Sequence, residues 1–206
     1  MTVTISKLFD DQAAASRAVA ELESAGVPRS DISMVASNAD NWYSADRKPE
    51  TFPDRDLDGK DDRAEAASTG AGVGAAVGGA AGLLAGLGLM AIPGVGPVVA
   101  AGWLVATLTG AVAGGATGGV LGALTKAGVS KEDADVYAEG LRRGGAVVSA
   151  RVADADAPRL QAIMDHSAVK LADRSTAYRN AGWKSFDPNA APYTADQVRR
   201  ERDLYR

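Results

Sequence analysis

The side chains whose types and spacing could do chemistry lie in one acidic run, Asp54-Arg55-Asp56-Leu57-Asp58-Gly59-Lys60-Asp61-Asp62-Arg63-Ala64-Glu65. The run matches the calcium-loop pattern D-x-[DN]-x-[DN]-G-x5-E. Asp54, Asp56 and Asp58 stand at loop positions 1, 3 and 5, Gly59 at the sharp turn, Asp62 at the water-mediated position 9 and Glu65 at the bidentate position 12. A hard cation needs six or more oxygens, and a twelve-residue turn brings them to one point. Three features depart from a paired helix-loop-helix site. Pro49 to Pro53 cannot form an entering helix, Asp61 stands where an apolar residue belongs, and there is no second loop. The run reads first as a solvated acidic linker that meets the pattern by chance; the sharper alternative is a lone, weak Ca2+ site.

Little else is equipped for catalysis. His166 is the sole histidine, at the end of a predicted helix, and Asp165 beside it points elsewhere on that helix. There is no cysteine, no Ser/His/Asp set and no Gly-Lys-Ser/Thr phosphate loop. Arg142-Arg143 could hold an anion or simply solvate a helix end. An enzyme is not expected, and Ca2+ is the one cofactor the residues propose. With a net charge of -4 and no basic stripe interleaved with aromatics, nucleic acid is not an expected partner.

The elements that must position these groups read as a divided α/β unit. In residues 1–37, Thr2 to Phe9 alternates as a strand. Asp10 or Asp11 can cap a helix that turns Ala14, Ala15, Ala18, Val19 and Leu22 inward and stops at Gly26. Ile32 to Ser37 is a second strand. Residues 38–65 are polar linker carrying the acidic run. In residues 126–173, Ser130 to Asp133 is a capping-box pattern opening a helix that stops at Gly144-Gly145, and Ala146 to Val152 is a strand. Asp154 or Asp156 caps a helix with Leu160, Ile163 and Met164 inward, and Val169 to Leu171 predicts a last short strand. The economical fold is α+β: a small split ferredoxin-like sheet with helices on one side, interrupted by residues 66–125.

That interruption, Ala66 to Thr125, has no charged residue or histidine in sixty positions and holds 17 of the 24 glycines. Gly70, Gly74, Gly78, Gly82 and Gly86 recur every four residues, as do Gly110, Gly114, Gly118 and Gly122, which places each set near one face of a helix. Ile92 to Pro97 breaks the run with two prolines and two glycines. The spacing predicts an antiparallel glycine-zipper hairpin with helices of ~33 and ~42 Å, against a hydrocarbon core of ~30 Å. Length permits a transmembrane hairpin with both termini cytoplasmic, since Lys60, Arg63, Lys126 and Lys131 flank its ends. The alternatives are a soluble hairpin, cytoplasmic, that buries its stripe against copies of itself as a homo-oligomer, and a disordered Gly/Ala tract. In water, each helical glycine costs about 1 kcal/mol relative to alanine, so the soluble form needs strong packing.

Residues 174–206 form a tail with large aromatics, Trp183, Phe186 and Tyr193, and no regular period until Thr194 to Gln197, a capping box that opens an arginine-rich helix. Those rings either strap the tail to its own domain or dock it on another subunit, another protein or a lipid headgroup layer.

At Tyr137-Ala-Glu-Gly-Leu-Arg-Arg-Gly-Gly-Ala-Val-Val148, followed by a helix and Asp165-His-Ser-Ala-Val169, the sequence resembles the bacterial heat-induced general stress protein family, the general stress protein 17M-like domain. The glycine-rich insertion between two α/β halves is similar to members of that family as well. The resemblance covers roughly residues 2–37 and 66–173. It implies stress induction without an agreed reaction and carries no functional residue with it; with no catalytic set in the sequence, the domain reads as non-enzymatic, of adaptor or regulatory character. The reading from the whole chain is such a domain anchored in the membrane by the hairpin, or a soluble ligand- or calcium-responsive sensor that self-associates through it.

Overall fold

The computed structural model describes residues 1–44, 88–105 and 119–205. Five strands share one sheet: β1 (Thr2–Phe9), β2 (Ile32–Ser37), β3 (Gly88–Ile92), β4 (Gly96–Ala101) and β5 (Ala146–Ala153). Their order is β1-β5-β2-β4-β3, and each neighbouring pair is antiparallel. Because β5 runs antiparallel to both β1 and β2, those two are parallel to each other, joined by α1 (Gln12–Ser24) as a crossover. The fold is mixed α/β.

The local signals that start and stop these elements act as their chemistry dictates. Asp11 caps α1 by accepting the Ala14 N–H at 2.8 Å, and the chain leaves the helix through Gly26 at φ 94°. Ser130 caps α3 (Lys131–Arg142) by accepting the Asp133 N–H at 3.1 Å, and Gly144 at φ 101° turns the chain into β5. α2 (Gly119–Lys126) precedes it, and α4 (Ala157–Asp165) follows β5.

The sheet is covered on both faces, which corrects the expectation of helices on one side. α1 and α4 pack on the face carrying Ile5, Ile32, Met34, Val148 and Ala150, while α2, α3 and Leu104 cover Leu8, Val35, Val98 and Val147. The physical reason lies in β2, where all six residues are buried, Ser33 and Ser37 included. A strand enclosed on both faces has no solvent side to mark. Its serines are satisfied inside: Leu104 N–H donates to Ser33 Oγ at 2.8 Å, and one strand over Ser149 Oγ bonds Ser6 Oγ at 2.8 Å. Tyr137 donates its hydroxyl proton to the Ser6 carbonyl at 2.7 Å, fixing α3 to β1. Burial, then the nearby Asp133 and Asp165, push that phenol far up from its ordinary value.

A second correction concerns the glycine-rich stretch. Residues 88–101, expected as the end of one helix, a turn and the start of another, form the β3–β4 hairpin. The turn stands where the Pro-Gly signals put it, with Gly94 at φ 74° and Val95 N–H donating to Ile92 C=O at 3.1 Å, but strands enter and leave it. Residues 103–105 are helical, and α2 contains Gly122, which is half-buried. Gly70, Gly74, Gly78, Gly82, Gly86, Gly110, Gly114 and Gly118 lie outside the described residues. Among the described residues no helix is long and apolar enough to cross a membrane.

The third correction is at Val169 to Leu171, which is no strand. Val169 N–H makes a single 2.7 Å bond to the Leu8 carbonyl at the end of β1, and Leu171 already opens α5 (Leu171–Asn180). α6 (Ala195–Asp203) closes the chain, opened by the capping box of Thr194 and Gln197.

Candidate functional site

The best-organised constellation of polar side chains lies where residues 171–205 fold back as a strap over the end of α3. It starts from a buried carboxylate. Glu139 is 0% exposed, on the face of α3 where spacing brings Arg142 and Arg143 back to it. Arg142 donates to both its oxygens, at 2.8 and 3.0 Å, and Arg143 Nε donates to Oε1 at 2.6 Å. The strap completes the group: Arg143 Nη1 donates to Glu201 of α6 at 2.8 Å. Burial opposes the charge on Arg143, but its hydrogen bonds to Glu201 and Glu139 outweigh it and push the guanidinium above its ordinary value.

Aromatic rings from the strap complete the clamp by stacking. The Arg143 guanidinium lies 4.1 Å from the Tyr178 ring centre, and Arg142 lies 4.8 Å from that of Tyr193. Arg174 of α5 holds Asp10 at 2.6 Å and sits 3.7 Å from the Tyr205 ring centre. Arg202 of α6 reaches the Asp40 carboxylate at 2.6 Å and the Gly144 carbonyl at 2.8 Å, joining strap, loop and α3–β5 turn. Tyr178 is buried, and burial pushes its phenol far up, against the pull of Arg174 and Arg143.

Absent side chains make the seat. A Cβ on Gly94 would strike Asp187 and Pro188, one on Gly96 would strike Pro192, and one on Gly144 would strike Val198. All three glycines have positive φ, so turn geometry and close approach of the strap ask for the same residue. Phe186 fills the core formed by Ile92, Val95, Leu124 and Leu141, and its N–H donates to Asp135 at 3.4 Å.

Of the tail aromatics expected either to strap the tail to its own domain or to dock elsewhere, the structure places Phe186 in the chain's own core. Trp183 stands edge-on to Tyr178 at 5.8 Å between ring centres, and Tyr193 lies beneath the arginine pair. The candidate calcium ligands Asp54, Asp56, Asp58, Asp62 and Glu65 lie outside the described residues. Among the described residues no group of three or more histidines and carboxylates could hold a metal. His166 is exposed at the C-terminus of α4.

Sequence reasoning missed Glu139, Asp10, Asp40, Glu201 and the clamping role of Arg143. The available signal was the (i, i+3) and (i, i+4) spacing from Glu139 to Arg142 and Arg143, followed by a tail alternating tyrosine with arginine. Beside the strap, Asp10, Asp11, Arg17, Ser167, Arg202 and Tyr205 line a cleft in which Ser167 Oγ and Arg202 Nε are buried without a hydrogen-bond partner among the described residues. Two carboxylates there balance two guanidinium groups, so the lining selects no ion of either sign. Both Glu139 oxygens are engaged, and the clamp is built to hold a segment in place. No family model, curated protein or solved structure was found to match this chain.

Proposed function

We propose that this chain is a non-enzymatic stress-response protein, an α/β scaffold of adaptor or regulatory character that works by self-association. One observation carries the choice between self-association and a membrane anchor. A bilayer-crossing hairpin would carry the Pro93–Gly96 turn to the far side of the membrane, whereas here that turn lies under the strap, with Gly94 against Asp187 and Pro188, Gly96 against Pro192, and Val95 buried. The stress-response part rests on the resemblance, whose longest stretch, Tyr137 to Val148, also carries Glu139, Arg142, Arg143 and Gly144. The β1–α1–β2 crossover with β5 between its strands supports a split ferredoxin-like reading of that half, widened by β4 and β3.

The competing reading, a membrane anchor with both termini cytoplasmic, is favoured by the charge-free run from Ala66 to Thr125. Fractionation of the intact protein from cells decides between them. Release into the supernatant by a carbonate wash, with assemblies larger than one chain on sedimentation, is the expected result. Retention that only detergent reverses would overturn it in favour of the anchor.

A further inference from the structure

We propose that the outer edge of β3, unpaired among the described residues, is a docking strand for β3 of a second copy, joining two five-stranded sheets about a two-fold axis that passes between the two Met90 residues. The inference rests on the self-association reading above and names the surface that would serve it.

Among the described residues β3 pairs with β4 alone, and Gly88, Leu89 and Ala91 are exposed, Leu89 at 46%. Such an edge is a template for another strand unless charge, proline or a bulge blunts it. β3 reads Gly-Leu-Met-Ala-Ile, with none of these devices. The opposite edge is managed: β1 carries Lys7, ion-paired with Asp165, and its Leu8 carbonyl is taken by Val169 N–H.

The backbone selects the register. Pro97 has no N–H, and its carbonyl accepts from Asn38 N–H at 2.8 Å, on the side of β2. Alternation along β4 then turns the polar groups of Val98 toward its β3 partner Met90, which returns them. Leu89 and Ala91 therefore direct their N–H and C=O groups outward. In an antiparallel pairing centred on Met90, Leu89 faces Ala91 of the second copy and Ala91 faces its Leu89, so each pair exchanges both hydrogen bonds. Ile92 faces glycine and Leu89 faces alanine, large against small, and no charge meets its like. The strand is complementary to itself, as an isologous two-fold contact requires.

The chain has no cysteine, so single cysteines in the full-length protein report the register directly. Under mild oxidation Met90→Cys should cross-link two copies fastest, because only that position faces itself, with Leu89→Cys and Ala91→Cys far slower. In a second arm, Leu89→Lys with Ala91→Lys sets like charges opposite each other and should weaken dimerisation at least about tenfold. Leu89→Lys with Ala91→Glu sets opposite charges face to face in this register and should restore it. Self-association without a cross-linking maximum at position 90, or with both double variants weakened alike, overturns the edge pairing and leaves the self-association reading standing. A wild-type chain that sediments as a monomer at every concentration overturns both.

Discussion

The seat of the strap and the outer edge of β3, unpaired among the described residues, meet in the β3–β4 hairpin, yet they are finished in opposite ways. At the seat, positive-φ glycines remove side chains, and arginines, glutamates and tyrosines from elsewhere in the chain close over the space. At the edge, small and apolar residues leave the backbone accessible, and no charged residue of β3 steers anything toward it or away. The difference teaches how this chain assigns partners. An Arg143 that must find Glu139, Glu201 and Tyr178 together accepts one occupant, held at high local concentration by its own covalent link. A charge-free strand accepts whatever matches its hydrogen bonds, and an identical strand does so without penalty.

The comparison is broken most forcefully at Arg143. Arg143→Ala would leave a fully buried Glu139 short of one of its three donors, strand Glu201 and unstack Tyr178. Removing one partner of a buried ion pair costs about 3–5 kcal/mol, and because Arg142 still holds Glu139 the expected loss is near the lower end, about 3 kcal/mol. Urea unfolding measures it, and hydrogen exchange should show α5 and α6 losing protection before the sheet. Arg143→Lys keeps the charge but loses the fork and the flat stacking surface, so it should recover less than half. A loss under about 1 kcal/mol for the alanine variant would mean that Phe186 and Val198 hold the strap without the clamp.

pH tests the Tyr178 contact of the clamp from inside, beside the Tyr137 contact that fixes α3 to β1. Tyr137 and Tyr178 have folded-state values raised by burial above the ordinary 10.0 of a tyrosine. A raised value means that the folded protein keeps protons that the unfolded chain gives up. The contribution is therefore fully present below about pH 10 and is lost as pH rises above it, by about 1.4 kcal/mol per pH unit for each tyrosine. Of the five tyrosines, Tyr137 and Tyr178 should resist ionisation until the protein unfolds. An absorbance titration of phenolate, run beside circular dichroism, checks the order. Ionisation of all five before any loss of structure would place Tyr178 in solvent and the strap off its seat.

Much of the scaffold was legible, because its signals are local. The alternation of Thr2 to Phe9, Asp11 before α1, Ser130 before α3 and the glycines behind each helix are short-range chemistry, and each acts as its residue type requires. The β3–β4 hairpin was misread because a short apolar run does not declare its period, and the four-residue glycine spacing spoke for helix on either side. Two signs pointed the other way: the spacing lapses after Gly86, two residues before β3, and Val95, Val98 and Val99 are β-branched residues beside a Pro-Gly turn. The clamp was hidden for a different reason. Its pieces are far apart in sequence, Asp10 with Arg174 and Asp40 with Arg202, and only the fold brings such pairs together.

The smallest effects should come from the two edges of the sheet, and they sharpen the comparison most finely. Lys7 and Asp165 form a pair with side chains 26% and 54% exposed, and such pairs contribute about 0–1 kcal/mol. Lys7→Val should therefore change thermal stability little, the β-branched side chain offsetting the lost contact. Its consequence lies in association. If β3 pairs with its own copy as proposed, the wild-type chain makes a closed two-fold contact and stops. Unblocking β1 gives each pair two further open edges, and a contact that does not close on itself extends into chains. Light scattering on the Lys7→Val protein should then show species larger than those of wild type, at nearly unchanged melting temperature, and Leu89→Lys in the same chain should shrink them. If the size distribution does not move, the bonds of Val169 to the Leu8 carbonyl and of Tyr137 to the Ser6 carbonyl are what close that edge, and the lysine is ordinary surface charge.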